Sequence, residues 1–174
     1  MKATKDLTII GLYTALLIGG QIALSFVSGV EIVTLLFCAY VFYFGALRGM
    51  ILATIFSLLR CFVFGFFPNV LMLYLTYYNL FAIVMGNIGK LMQRKINLKK
   101  LILVVIAVAL LTVGFTLLDN IITPTFYGYL PDAKKAYWVA SLTALIPQTI
   151  CASITVAVLM PPLVKIFSRL KLNN

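Results

Sequence analysis

Histidine is absent from the 174-residue sequence. Because histidine is the commonest general base, proton relay and metal ligand near neutral pH, its absence removes the central residue from three classes of site. These are the Ser/His pair of an intramembrane protease, the histidine ligand of a haem and the histidine ligands of a zinc hydrolase. None of these classes fits the sequence.

Acidic residues are nearly as scarce, with four in the whole chain. Lipid phosphotransferases that hold metal ions need several carboxylates close together, whereas Glu31 and Asp119 are expected on different membrane spans. The cysteines Cys38, Cys61 and Cys151 lie within apolar runs and show no paired metal-binding spacing. We therefore predict no catalytic residue, no metal and no cofactor, and a protein that is not an enzyme.

The segment MGNIGK, from Met85 to Lys90, contains glycines and a lysine but lacks the spacing of a phosphate-binding loop. Only two residues separate Gly86 from Gly89, no serine or threonine follows Lys90, and the segment ends an apolar span. We therefore expect no ATP site on this chain.

Hydrophobic residues are what the sequence has in excess. They make up 63% of the chain, and charged residues make up only 10%, whereas soluble domains are roughly 45–50% apolar. A helix needs roughly 20 apolar residues to cross a hydrocarbon core, so the chain can hold about six spans. We predict one all-α domain over residues 1–174 with six transmembrane helices. The predicted spans are Leu7–Val27, Ile32–Gly45, Met50–Phe66, Val70–Met92, Leu101–Leu118 and Tyr137–Phe167.

The net charge of +10 is unevenly distributed between the ends of these spans. If the N-terminus is cytoplasmic, Lys134 and Lys135 fall outside, and eleven other basic residues fall inside. The eleven are Lys2, Lys5, Arg48, Lys90, Arg94, Lys95, Lys99, Lys100, Lys165, Arg169 and Lys171. The positive-inside rule then predicts cytoplasmic termini, in a bacterial plasma membrane. In so apolar a chain the basic excess indicates this topology, and we expect no nucleic-acid partner.

Small residues recur every four positions in the first span, at Gly11, Ala15, Gly19 and Ala23. Residues four apart share a helix face, and small side chains let another helix approach closely in lipid. Two interpretations remain open, namely packing within this bundle and contact with a separate membrane protein. We predict Gly11, Ala15 and Gly19 as partner-binding residues.

Arg60 stands in the apolar stretch IFSLLRCFVFGFF of the third span. A charge in a membrane helix usually faces the bundle interior and finds a partner. The predicted topology places Glu31, Asp119 and Asn120 at a similar depth near the outer face. Arg60 could therefore form a structural ion pair with Glu31 or Asp119, or bind a carboxylate or phosphate group of a ligand.

Aromatic and amide residues cluster at the same level. A belt of interfacial Tyr and Trp is ordinary in membrane proteins, but stacked rings with a few polar groups also bind a flat amphipathic solute well. Gln148 adds an amide that is expected to point inward. The predicted substrate-binding residues are Glu31, Arg60, Tyr74, Tyr77, Tyr78, Asn79, Asp119, Asn120, Tyr127, Trp138 and Gln148.

The longest outside connection is predicted at Ile121–Ala136, which contains Pro124, Gly128 and Pro131. Its length and composition suit a lid over a binding site.

Together these features resemble the S component, the substrate-binding membrane subunit, of energy-coupling factor (ECF) transporters. The resemblance covers nearly the whole chain of this small, basic six-helix protein. Its motifs are GVEIVTLLFCAYVFYFGALRGM across spans two and three, the FGFFPN turn, and the terminal YWVASLTALIPQTICASITVAVLMPPLVKIF. The resemblance implies capture of a water-soluble vitamin or related micronutrient on the extracytoplasmic side. It also implies that a separate transmembrane coupling protein and two ATPase subunits supply the energy.

Members of that family contact the coupling protein through a small-residue motif on the first helix, usually Ala-xxx-Ala. The matching positions here are Ala15 and Gly19, preceded by Gly11, so one alanine is replaced by glycine. Family members bind different vitamins through different pocket residues, and Arg60 favours a solute with an acidic group.

Two alternatives from other classes remain open. A small membrane scaffold or accessory subunit would use the Gly11 face but bind no solute. A stand-alone proton-coupled carrier would move its solute without the coupling protein.

Overall fold

The computed structural model describes residues 2–25 and 32–169, which form six α-helices and no β-strand. The helices are α1 Lys2–Leu24, α2 Val33–Phe44, α3 Ala46–Phe64, α4 Pro68–Leu91, α5 Leu98–Phe126 and α6 Pro131–Arg169. The predicted all-α fold with six helices is confirmed.

Five of these helices are long and apolar enough to cross a membrane, and α2 is the shorter exception. Their outward faces carry large exposed apolar side chains, such as Leu12 on α1, Phe62 on α3 and Leu110 on α5. Extensive exposed apolar surface marks a surface that contacts lipid or protein instead of water. The chain is therefore a multi-pass membrane protein.

The short helix α2 lies at the centre of the bundle. All 12 of its residues are buried, and it packs against α1, α3, α4 and α6. At a rise of about 1.5 Å per residue it is roughly 18 Å long, which is less than the thickness of a hydrocarbon core. A helix that is apolar all round is typical of a protein interior, so α2 contacts protein on every side.

Helix α4 approaches the junction of α2 and α3 closely through two glycines. A Cβ atom at Gly89 would collide with the carbonyl oxygen of Phe42, and one at Gly86 would collide with the backbone of Ala46. The junction itself is Gly45, whose φ of +94° lies in the region that favours glycine. The glycines of MGNIGK therefore serve close helix packing.

The predicted lid at Ile121–Ala136 is wrong, because most of this segment is helical. Helix α5 continues to Phe126 and α6 begins at Pro131, so residues 127–130 alone connect them. Pro131 occupies the first position of a helix, where its missing N–H has no intrahelical partner to lose. Gly128, with φ of +62°, lies at the turn between the two helices.

The two ends of the bundle differ in charge. Arg48 at the start of α3 forms an ion pair with Asp6 near the start of α1, at 2.9 Å, and Phe167 near the end of α6 packs against Phe44 at the end of α2. We call this the basic end. Its described basic residues are Lys5, Arg48, Lys90, Arg94, Lys95, Lys99, Lys100, Lys165 and Arg169. The opposite end, which we call the aromatic end, carries Lys134 and Lys135 at the start of α6.

Replacing Gly89 with alanine is expected to destabilise the bundle, because the new Cβ would overlap a backbone atom that cannot swing aside. We expect a loss of about 1–3 kcal/mol, measured as a fall in the thermal midpoint of the purified protein. Gly114→Ala is the matched control, because nothing lies within 4 Å of its Cβ position. The control should keep or raise the midpoint, and equal midpoints for the two variants would contradict the close contact.

Candidate functional site

A cavity of about 330 Å³ opens among α1, α2, α3 and α4 at the aromatic end. We call it the Arg60 chamber. It is lined by Gly20, Gln21, Leu24, Ser25, Ile32, Val33, Arg60, Phe64, Tyr74 and Tyr78. Three predicted substrate-binding residues, Arg60, Tyr74 and Tyr78, therefore share one cavity.

Arg60 contributes a cation to this chamber, held against aromatic rings. Its guanidinium carbon lies 4.4 Å from the centroid of the Tyr74 ring and 5.1 Å from that of Phe64. These cation–π contacts stabilise the positive charge, but an aromatic face supplies no lone-pair acceptor for the N–H groups of the guanidinium. The Arg60 Nε atom is buried and has no hydrogen-bond partner among residues 2–25 and 32–169.

Neither predicted ion pair of Arg60 is found in the described part of the chain, where Arg48 pairs with Asp6. Asp119 instead accepts hydrogen bonds of 2.6 Å from the hydroxyls of Thr123 and Tyr137. Glu31, the other predicted partner, lies outside the described residues. The positive charge of Arg60 is thus offset by aromatic faces within the described structure.

Gln21 is a residue of the chamber that the sequence analysis missed. Its Nε2 atom donates a hydrogen bond of 3.4 Å to the hydroxyl of Tyr74, while its Oε1 atom is buried without a partner among the described residues. The sequence does indicate an inward-facing Gln21, because an amide inside an apolar span is costly unless it faces the protein interior. Ser25 and Phe64 also line the chamber and were not predicted.

The tyrosines of α4 form the inner wall of the chamber. Tyr78 lies between Tyr74 and Tyr77, with ring centroids 5.2 Å and 5.1 Å away, and Tyr77 packs against Phe115 of α5 at 4.8 Å. A small cavity of about 50 Å³ lies behind these rings. It is lined by Thr34, Tyr74, Tyr77, Tyr78, Thr112, Phe115 and Gln148. The three predicted tyrosines of α4 therefore face the interior of the bundle.

A second cavity of about 220 Å³ lies between α5 and α6. We call it the Asp119 chamber. It shares Phe115 and Gln148 with the small cavity behind the tyrosines. Its lining is Phe115, Thr116, Asp119, Tyr137, Ala140, Ser141, Ala144 and Gln148. The predicted residues Asp119 and Gln148 thus lie in a different chamber from Arg60.

A chain of hydrogen bonds fixes Asp119 and ties together three helices. Thr123 donates to Asp119 and accepts from Asn69 Nδ2 at 3.1 Å. Asn69 Oδ1 accepts in turn from the hydroxyl of Tyr127 at 3.2 Å. Asn69 lies near the start of α4, Thr123 near the end of α5 and Tyr137 near the start of α6. The carboxylate of Asp119 therefore anchors the aromatic end of the bundle.

The remaining predicted residues that the structure describes line none of these three cavities. Asn79 donates to the backbone oxygen of Leu75 within α4, Tyr127 bonds to Asn69, and Trp138 is 38% exposed. Asn120 is buried and donates to Ser141 Oγ at 2.7 Å, while its own Oδ1 lacks a partner among the described residues. These four side chains therefore lie outside the lining of the cavities.

The small-residue positions of α1 point away from the rest of the chain. Gly11, Ala15 and Gly19 are exposed, and nothing lies within 4 Å of a Cβ built at Gly11 or Gly19. Of the two interpretations that the spacing allowed, packing within this bundle does not occur in the described structure.

Metal-ligating side chains do not gather in the part of the chain that is described. No three Cys, Asp or Glu residues there are grouped so that they could hold a metal ion. The free thiols of Cys38 and Cys61 are buried, and that of Cys151 is partly buried.

Comparison of the chain with protein-family models, with curated proteins and with solved structures finds no match. The resemblance to ECF S components therefore stays a prediction.

Replacing Tyr137 with phenylalanine is expected to weaken the aromatic end, because Asp119 would keep only one of its two hydroxyl donors. Hydrogen bonds to a charged group contribute about 1.5–3 kcal/mol, so the thermal midpoint should fall measurably. Tyr129→Phe is the matched control, since Tyr129 packs against the ring of Tyr137 at 5.9 Å and does not bond to Asp119. If the two variants have the same thermal midpoint, the hydrogen bond between Tyr137 and Asp119 contributes nothing to stability.

Proposed function

We propose that this protein is the substrate-capturing S component of an ECF-type transporter, which binds a water-soluble vitamin or related micronutrient. The observation that carries the proposal is the Arg60 chamber, a cavity of about 330 Å³ in which a donor of Arg60 and an acceptor of Gln21 are buried without partners among the described residues. Leaving such groups unsatisfied costs about 1–3 kcal/mol each. A solute that bonds to both would recover this free energy.

The chemistry of the chamber favours a particular class of solute. The guanidinium of Arg60 suits a carboxylate or phosphate, and the Oε1 atom of Gln21 suits an N–H or O–H donor. Tyr74 and Phe64 add aromatic surface on which a flat ring can stack. The proposed solute is therefore a flat molecule that carries an anionic group and a hydrogen-bond donor.

The proposed orientation follows from the charges at the two ends. By the positive-inside rule the basic end faces the cytoplasm of a bacterial plasma membrane, so both termini are cytoplasmic and the Arg60 chamber opens toward the outside. The solute would then enter at the aromatic end.

The proposed partners are a transmembrane coupling protein and two ATPase subunits. The open face of α1 at Gly11, Ala15 and Gly19 supports this proposal, because small exposed residues let a helix of another protein pack closely in lipid. An accessory subunit would use the same face, but it would have no need for a chamber in which polar groups lack partners among the described residues.

Arg60→Met is expected to weaken solute binding while the protein still folds, because methionine fills similar space without a donor. We expect the solute to bind roughly 10- to 100-fold more weakly. The measurement is a thermal-shift panel of vitamins, after identification of the small molecule that copurifies with the wild-type protein.

Arg48→Met is the control for this experiment, because it removes the same charge from the basic end. It should bind the solute like the wild-type protein, even if breaking the pair with Asp6 lowers its stability. Unchanged binding by Arg60→Met would exclude Arg60 as the anchor, and misfolding of that variant would assign it a structural role. A wild-type protein that no vitamin stabilises well above micromolar concentration would favour the scaffold.

Gly19→Leu is expected to abolish uptake and leave solute binding intact, because a bulky side chain would keep the coupling protein away from α1. Uptake would be measured in vesicles that contain the coupling protein and both ATPases, and binding by thermal shift. Gly114→Leu on α5 is the control, since its Cβ position is equally open. If Gly19→Leu loses solute binding and Gly114→Leu does not, this face supports the fold of the protein itself.

A further inference from the structure

A groove of about 500 Å³ lies at the basic end, far from both chambers. It runs between the α4–α5 turn and the last turns of α6, and we call it the basic groove. It is lined by Arg94, Lys95, Ile96, Asn97, Pro161, Val164, Lys165 and Ser168. Three of these residues are cations and none is acidic.

No described carboxylate is available to neutralise these cations. Asp6, the acidic residue described at the basic end, already pairs with Arg48 at 2.9 Å. Asp119, near the end of α5, and Asp132, near the start of α6, lie at the aromatic end. The positive potential of the basic groove is therefore unbalanced within the described chain, which favours an anion from outside it.

Backbone geometry and hydrogen bonds define the conformation of the turn that carries Arg94 and Lys95. Gln93 and Arg94 have φ of +54° and +55°, an uncommon conformation for residues other than glycine. The turn is held by a bond from the Arg94 amide to the Gly89 carbonyl and by Lys100 Nζ, which donates to the carbonyl oxygen of Met92 at 2.9 Å. Strained turns of this kind persist where the surrounding structure determines them, and they cluster at ligand sites.

The side chain of Arg94 lies beside the junction of α2 and α3. Its Nη2 atom lies 3.7 Å from the Cβ position of Gly45, at the junction of α2 and α3, and its side chain is half-buried. The guanidinium therefore lies against the protein on one side while it lines the groove.

The other walls of the groove are apolar and continue onto the lipid-facing surface. Ile96, Pro161 and Val164 line the groove. Leu98 and Ile102, on the first turns of α5 directly after the groove residue Asn97, are exposed apolar side chains. A ligand that fits this surface has a negative group for the cations and a hydrocarbon chain for the adjoining helices.

We propose that the basic groove binds the phosphate group of an anionic phospholipid, with an acyl chain along α5 and α6. Anionic headgroups bind basic pockets between membrane helices at the membrane surface, where each lysine or arginine contributes to binding. The lipid would neutralise the α4–α5 turn and hold it against the end of α6. This site is independent of the proposed solute and of the Arg60 chamber.

The test uses the full chain in detergent with added phosphatidylglycerol, phosphatidylcholine or inorganic phosphate. Phosphatidylglycerol should raise the thermal midpoint and remain bound in native mass spectra, and phosphatidylcholine should do neither. Lys95→Gln with Lys165→Gln removes two groove charges and spares Arg94 and its turn. We expect this double variant to bind phosphatidylglycerol roughly 25-fold more weakly.

Lys134→Gln with Lys135→Gln is the matched control, because it removes the same charge from the aromatic end. It should respond to phosphatidylglycerol like the wild-type protein. If both double variants lose the same amount of phosphatidylglycerol binding, net charge alone explains the effect and the proposal is overturned. A midpoint shift with millimolar inorganic phosphate as large as that with phosphatidylglycerol would also overturn it, since the site would then take a soluble anion.

Discussion

Close contact between two stretches of backbone governs the rest of this structure. Gly86 and Gly89 of α4 lie against Phe42 and Ala46, which flank the junction of α2 and α3. This contact encloses the short helix α2 and fixes α4 relative to the bundle. Tyr78, two to three turns earlier on α4, then packs against Phe37 of α2 with ring centroids 4.9 Å apart. One helix thereby sets the position of the tyrosines at one end and of the basic turn at the other.

The half-buried charges of Arg60 and Asp119 at the aromatic end are stabilised by different means. Arg60 is offset by the rings of Tyr74 and Phe64, and Asp119 by the hydroxyls of Thr123 and Tyr137. An ion pair between them would have neutralised both charges and occupied part of the interior, and breaking it would have been costly. Keeping the charges apart leaves an open chamber beside each of them.

The features that depend on local sequence could be predicted, and those that depend on tertiary contacts could not. Apolar runs located the six helices, and Arg60 stood out as a charge in such a run. Pro131 is typical of a loop but also suits the first position of a helix, so the sequence predicts a lid that is longer than the real connection. The partner of Asp119 could not be read from the sequence, because Tyr137 and Thr123 compete with Arg60 only once the helices are placed. Gln21 carried a usable signal, since it is an amide in an apolar span.

The position of Trp138 has a practical consequence. It is the only tryptophan in the sequence, and it follows Tyr137, whose hydroxyl bonds to Asp119. Its backbone oxygen accepts from Ser141, which in turn accepts from Asn120. Trp138 therefore lies beside the hydrogen bonds that hold α5 and α6 together. Intrinsic fluorescence of the unlabelled protein would report on this one corner of the bundle, free of signal from any other indole.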